Sequence, residues 1–185
     1  MDVDLQPDLV QRAPAIDVLD GSRLAISWLS ETADGTQVMW AEVTGRSVSA
    51  VLFVEGDGGV PSVSASWLAY HVGDGVRLVD PLRSVSFLVN DATLIEHTPV
   101  VSSVSDGGAL GWYALDGAVG DVRVGAFDVA PVVSHTTVLE STTTASSSFD
   151  LVAMGDGRWL AAWQDGASGG GSVRAQIVDL GDDGP

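Results

Sequence analysis

Carboxylates dominate the reactive side chains of this chain. Twenty-five aspartates and glutamates stand against eight arginines and no lysine, giving a formal charge of −17 over 185 residues. Two chemistries follow from so many acids. Paired carboxyl groups flanking a glycosidic bond hydrolyse it when their separation is right, and loops between strands could supply them. Oxygen-rich turns can also hold calcium, which takes roughly six to eight oxygen ligands. The calcium candidates are Asp57, in Glu55-Gly56-Asp57-Gly58-Gly59, and Asp116 with Asp121, in Asp116-Gly117-Ala118-Val119-Gly120-Asp121. Neither run has EF-hand spacing. Most aspartates here simply precede a glycine, as in Asp20-Gly21, Asp34-Gly35, Asp156-Gly157 and Asp165-Gly166. A turn explains that pairing by itself, because Asp caps it and Gly supplies the positive φ. No cofactor and no metal site are therefore expected.

Nucleophilic chemistry has weaker support. The three histidines, His71, His97 and His135, fall at unrelated places, and no Gly-x-Ser-x-Gly elbow accompanies the serines. Without cysteine there are no disulfides, thiolate metal sites or cysteine nucleophiles. No catalytic site is expected, and the reading is of a protein that is not an enzyme. The charge repels polyanions, so nucleic acid is not expected as a partner and an anionic membrane surface is disfavoured. No apolar run reaches the ~20 residues that span a bilayer. The acidic start, Met1-Asp2-Val3-Asp4, is no signal peptide, which leaves a cytosolic protein or a mature or excised domain.

The elements that must position these groups are set by a repeat. The phrases Leu24-Ala25-Ile26-Ser27-Trp28, Trp67-Leu68-Ala69-Tyr70, Ala109-Leu110-Gly111-Trp112 and Trp159-Leu160-Ala161-Ala162-Trp163 are each apolar and close on a large aromatic. A small residue (Ser27, Ala69, Gly111, Ala162) stands just before the end. From Trp28 to Tyr70 to Trp112 to Trp163 the steps are 42, 42 and 51 residues. Periods of this size mean repeated supersecondary units. Valine-rich runs of strand length, punctuated by Asp-Gly turns, fill each unit. First strands begin at Pro14, Pro61 and Pro99, where a missing ladder donor costs nothing.

The expected fold is all-β: a single-domain, four-bladed β-propeller of four-stranded antiparallel blades. The blades span about 13–56, 60–90, 98–140 and 148–180. The last unit lacks a fourth strand, and the spare strand Val3–Val10 is expected to pair with Ser172–Val178 and close the ring. A two-sheet sandwich is the structural rival, but it leaves the fourfold phrase unexplained. Trp28, Tyr70, Trp112 and Trp163 are expected to wedge between blades. The small residues before them should point the other way, where the next blade presses close. Trp40, Trp67 and Trp159 break the repeat and are expected to be exposed, as ligand-binding rings. The low-complexity run Ser141–Ser148 is expected to be a mobile connection that lengthens the third step.

One stretch resembles a known repeat. Gly157-Arg158-Trp159-Leu160-Ala161-Ala162-Trp163-Gln164-Asp165-Gly166, followed by Gly171-Ser172-Val173-Arg174-Ala175-Gln176-Ile177-Val178-Asp179, is similar to the β-propeller repeat of bacterial exported proteins. In that family an apolar-Ala-Trp phrase leads through a Gly/Asp-rich turn into a Val-x-Ala-Gln-x-x-Asp strand. The resemblance is good in the fourth unit, fair in the first and third, and poor in the second, where Tyr70 stands for tryptophan. It implies propeller architecture and an extracellular or cell-surface location, with no chemistry to transfer. The expected function is a non-catalytic binding or scaffold module with a protein or glycan ligand. The alternatives are a lectin-like binder using the off-repeat tryptophans and a glycoside hydrolase with loop carboxylates. The chain is expected to be a monomer, or a dimer if two chains form an eight-bladed ring.

Overall fold

The computed structural model describes residues 10–49, 51–56, 58–73, 75–89, 95–104, 107–116, 119–128, 133–142, 148–165 and 171–180. They form sixteen strands in four antiparallel sheets. The first sheet holds β1 (Val10–Asp20), β2 (Arg23–Thr32), β3 (Gly35–Thr44), β4 (Ser47–Val48) and β5 (Leu52–Gly56), the last two both paired with β3. The second holds β6 (Ser62–Ser64), β7 (Trp67–Val72), β8 (Gly75–Asp80) and β9 (Val85–Val89). The third holds β10 (Ile95–Val104), β11 (Gly107–Asp116), β12 (Val119–Phe127) and β13 (Ser134–Thr142). The fourth holds β14 (Phe149–Ala153), β15 (Arg158–Asp165) and β16 (Ser172–Asp179). Each sheet is a meander with neighbours in sequence order, and the all-β, propeller-like reading of the sequence stands.

Alternation along the second strands divides the core between sheets. On β7, Leu68 and Tyr70 pack with Ala25, Leu29, Val38 and Trp40 of the first sheet. Trp67 and Ala69 face the other way, onto Trp112, Leu110 and Phe127 of the third. Trp163 in turn joins Ala109, Tyr113 and Val122 at the junction of the third and fourth sheets. The closing aromatics are therefore inter-sheet wedges at these three junctions. Trp28 is buried as well, in a small cluster with Met39 and Ala41. The small residues before them lie on the opposite face. A Cβ on Gly111 would come within 2.0 Å of the Phe149 ring of the fourth sheet.

The first strands lie side by side in the order β1, β6, β10, β14. Their registers reveal one recurring position. The residue three before each closing aromatic pairs across to the first strand: Ala25 with Asp17, Trp67 with Ser64, Ala109 with Ser102, and Leu160 with Val152. In three sheets this first-strand residue is polar and accepts a backbone N–H of the next sheet. Asp17 accepts from Ala65 at 2.9 Å, Ser64 from Ser103 at 3.0 Å, and Ser102 from Ala153 at 3.1 Å. Ala65 has φ of 46°, a left-handed conformation unusual for alanine, and the Asp17 carboxylate caps its N–H. A second tie braces the second sheet internally. The fully buried Asp80 carboxylate accepts Ser66 Oγ, the N–H groups of Leu82 and Arg83, and the Arg83 guanidinium.

Two expectations are corrected. Val10, placed by sequence in a closing strand, pairs instead with Glu31 as the start of β1. A bulge at Ala13-Pro14, with Ala13 at φ 51°, lets β1 run back beyond the proline. Residues 3–9 of that strand lie outside the described residues. Among the described residues β16 pairs only with β15, and no closed ring forms. The second correction concerns Trp40, Trp67 and Trp159, which are 2%, 2% and 6% exposed. They fill the volume left beside the small residues. Trp40 sits across from Ser27, and Trp67 shares the face of Ala69, with its ring edge-on to Phe127 at 4.8 Å. Trp159 shares the face of Trp163.

These junctions make a direct test. Gly111→Ala should destabilise the fold by about 1–3 kcal/mol, the usual cost of overpacking a filled contact, read as a fall in Tm. Gly21→Ala, where no atom lies within 4 Å of the added carbon, should leave Tm unchanged.

Candidate functional site

Ser62 Oγ accepts from Val101 N and Ser64 Oγ from Ser103 N, so β6 and β10 run in the same direction. Asp17 to Ala65 and Ser102 to Ala153 extend the alignment to β1 and β14. The first strands consequently start at one common end, which the β2–β3, β7–β8, β11–β12 and β15–β16 connections share. Described carboxylates at this end include Glu31, Asp34, Asp121, Asp150 and Asp165. Three of these are held by arginines. Arg12 reaches Glu31 at 3.1 Å, Arg123 reaches Asp121 at 3.2 Å, and Arg174 reaches Asp165 at 2.8 Å. Asp150 accepts the N–H of Leu151 at 2.9 Å, and Asp34 N bonds the Thr32 hydroxyl.

Asp150 also lines a groove of about 320 Å³ on the outward side of the fourth sheet, with Phe149, Trp163, Gln164, Ser148 and Val173. The backbone repeat explains the groove. Asp150 pairs across β14 and β15 with Ala162, the counterpart of Gly111. The space over Gly111 is taken by Phe149 of the following sheet. Nothing among the described residues takes the space over Ala162. The result is a cleft floored by Ala162 and edged by one carboxylate and one amide, with the Trp163 ring packed on the other side of the sheet.

The opposite end is charged differently. Asp20 pairs with Arg23, and Asp156 with Arg158, each at the turn between a first and a second strand. The arginine hydrogen bond holds both carboxyl groups below the ordinary value. Because these folded pKa values are depressed, the pairs contribute stability above the unfolded value of about 4. That contribution fades as pH falls through the depressed value. Both pairs are open to water and make no enclosed site.

The structure does not gather the residues singled out from sequence. Trp40, Trp67 and Trp159 lie at separate sheet junctions. Asp57 and the Asp116 side chain lie outside the described residues, and so do the His97 and His135 side chains. Asp121 is engaged by Arg123 at 3.2 Å. His71 is half-buried on β7, and its carbonyl accepts Gly59 N. No group of three or more His, Asp or Glu able to hold a metal occurs among the described residues. Of the connection Ser141–Ser148, residues 143–147 lie outside the described residues; Ser148 itself is fixed, accepting Gln164 N at 3.0 Å. Sequence reading missed Asp150. Its only signal was its place across from Ala162, which needs the strand register to be seen.

No protein-family model matches the chain, and no curated protein matches it in sequence. Solved structures do match it in fold. An α-L-arabinofuranosidase from Podospora anserina, in complex with cellotriose, aligns over 95% of this chain and 65% of its own, with a TM-score of 0.52 and 12% identity. A GH62 hydrolase in complex with xylotriose aligns over 91% and 66%, with a TM-score of 0.51 and 11% identity. A bifunctional GH43-CE protein of Bacteroides eggerthii aligns over 90% and 24%, with a TM-score of 0.53 and 12% identity. The chain thus spans about two thirds or less of the proteins it matches. These neighbours are glycoside hydrolases, and they overturn two expectations: that of a non-catalytic binding or scaffold module, and that of a protein that is not an enzyme. Both rested on the lack of a local catalytic motif. A hydrolase that draws its carboxylates from separate loops carries no such motif.

The acidic surface has a measurable consequence. Sodium chloride should raise Tm gradually by screening self-repulsion. Calcium at about 1 mM should add nothing beyond sodium chloride of matched ionic strength, whereas a specific site would stabilise by mass action. A chelator-reversible rise of several degrees in thermal melts would instead assign a calcium site.

Proposed function

We propose that this chain is the four-bladed carbohydrate-active unit of a glycoside hydrolase, each sheet being one blade. Its substrate class is a polysaccharide carrying arabinofuranose or built on β-linked xylose or glucose. The reading rests on one observation: the propeller-like fold, shared with three glycoside hydrolases, brings a carboxylate-lined cleft to the end where all the first strands start. Asp150 supplies one carboxyl group there, beside the Gln164 amide. The amide and carboxylate suit sugar hydroxyls. Asp150 is the carboxylate that lines the groove. With such a polymeric substrate, the proposed site of action is outside the cell.

The test is hydrolysis of 4-nitrophenyl α-L-arabinofuranoside, arabinoxylan and xylo-oligosaccharides by the purified chain. Release of sugar by the wild type, and a loss of about 100-fold or more in Asp150→Asn with Tm unchanged, is the expected result. No turnover of any of the three, or full activity in Asp150→Asn, would refute the assignment.

A further inference from the structure

The registers lay out the outward face of the fourth sheet row by row. Gln164 and Val173 pair across β15 and β16 at the end where the first strands start. Two residues further along stand Asp150, Ala162 and Ala175, in line across β14, β15 and β16. Two further again stand Val152, Leu160 and Ile177. The middle row is low between β15 and β16, because alanine carries nothing beyond Cβ. The rows on either side are tall. Their backbones lie four residues apart along the strand, about 13 Å at roughly 3.3 Å per residue. The face is therefore a trough running across the strands, with room for a ring lying flat on the alanines.

The trough changes character along its length. Its β14 end is polar, with Asp150 and Gln164 at the edge. Asp150 Oδ1 accepts the N–H of Leu151 at 2.9 Å, which leaves Oδ2 for a ligand. At the β16 end the outward residues are Val173, Ala175 and Ile177, none with a hydrogen-bonding side chain. Val173 is 81% exposed and Ile177 49%. The groove reaches Val173 as well as Asp150, so the polar and apolar ends belong to one cleft. Two strand spacings of about 4.8 Å separate them. A sugar over Ala162 keeps its hydroxyls beside Asp150 and Gln164. A second sugar over Ala175 would find no protein partner for its hydroxyls among the described residues, whereas a planar aromatic group there would remove apolar surface from water on both partners.

We propose that the groove takes an arabinofuranose esterified at its primary hydroxyl with an aromatic acid. The sugar lies over Ala162, and the aromatic ring lies over Ala175 between Val173 and Ile177. This binding mode rests on the glycoside hydrolase reading and narrows its substrate to sugar units that carry an aromatic acyl group. The ester is a handle and stays intact; the bond hydrolysed is the glycosidic one. An acyl group held at the β16 end selects decorated units of the polysaccharide over bare ones, because the bare sugar leaves that end empty.

The test is calorimetric titration of the wild type with methyl α-L-arabinofuranoside and with its 5-O-feruloyl ester. The ester should bind about tenfold or more tighter than the bare glycoside. Ile177→Ser and Val173→Ser should each cut that ratio by about threefold or more, with Tm and far-ultraviolet circular dichroism kept, since both side chains are exposed. Leu82→Ser, at an exposed site elsewhere, should leave the ratio as it is. A ratio near one in the wild type, a ratio that survives both substitutions, or no binding of either ligand would overturn the proposal. The two readings fail separately. Hydrolysis of arabinofuranosides with a ratio near one sinks this binding mode and spares the hydrolase. Tight, Ile177-dependent binding of the ester without hydrolysis of any glycoside keeps the binding mode and sinks the hydrolase.

Discussion

The lateral contact between first strands is the constraint on which the rest of this protein depends. Strands within a sheet satisfy one another through the ladder, but β1, β6, β10 and β14 belong to different sheets and meet edge to edge. Their facing N–H groups would be buried without acceptors, at a cost of about 1–3 kcal/mol each. Asp17, Ser62, Ser64 and Ser102 remove that cost. They also set the height of each sheet against the next, because a hydroxyl reaches only the N–H directly beside it. The aromatic wedges and small-residue seats then fall into line. A slip of one residue along a first strand would turn its core set to the wrong face.

The candidate site is a product of the same arrangement. In the third sheet the seat at Gly111 is filled by Phe149 of the next sheet. The fourth sheet repeats the seat at Ala162, and no described ring enters it. A groove is left, floored by Ala162 and edged by Asp150 and Gln164. The pairs Arg12 with Glu31 and Arg174 with Asp165 balance two of the carboxylates at that end, so charge there is local and patterned despite the strong overall excess of acid. Hydrolytic chemistry on such a scaffold needs no contiguous motif. It needs loops from different sheets brought to one end, and parallel first strands deliver that.

The tryptophans show where local reading fails. Six tryptophans read from sequence divide into repeated and unrepeated ones, and exposure of the unrepeated set follows naturally. The structure buries Trp40, Trp67 and Trp159 regardless. Small residues on tightly stacked sheets open volumes that only large rings fill, and such rings need not recur at the same position of each unit to do so. The acidic turns were read correctly in kind: Asp20 and Asp156 sit at tight turns, where Arg23 and Arg158 hold them.

The sequence by itself determined the strand content and the side of each sheet taken by Tyr70, Trp112 and Trp163. Those features are local: alternation with a period of two, Asp-Gly turns, and a repeated phrase. It did not determine the junction residues. The steps from Asp17, Ser64, Ser102 and Val152 to their closing aromatics are 11, 6, 10 and 11 residues, because the intervening turns differ in length. Only strand register brings them to one place. The same holds for Asp150 over Ala162, and for Val10, which a bulge at Ala13-Pro14 assigns to β1. Pairing between strands is a long-range choice, decided by which faces bury together, and a linear reading of spacing does not contain it.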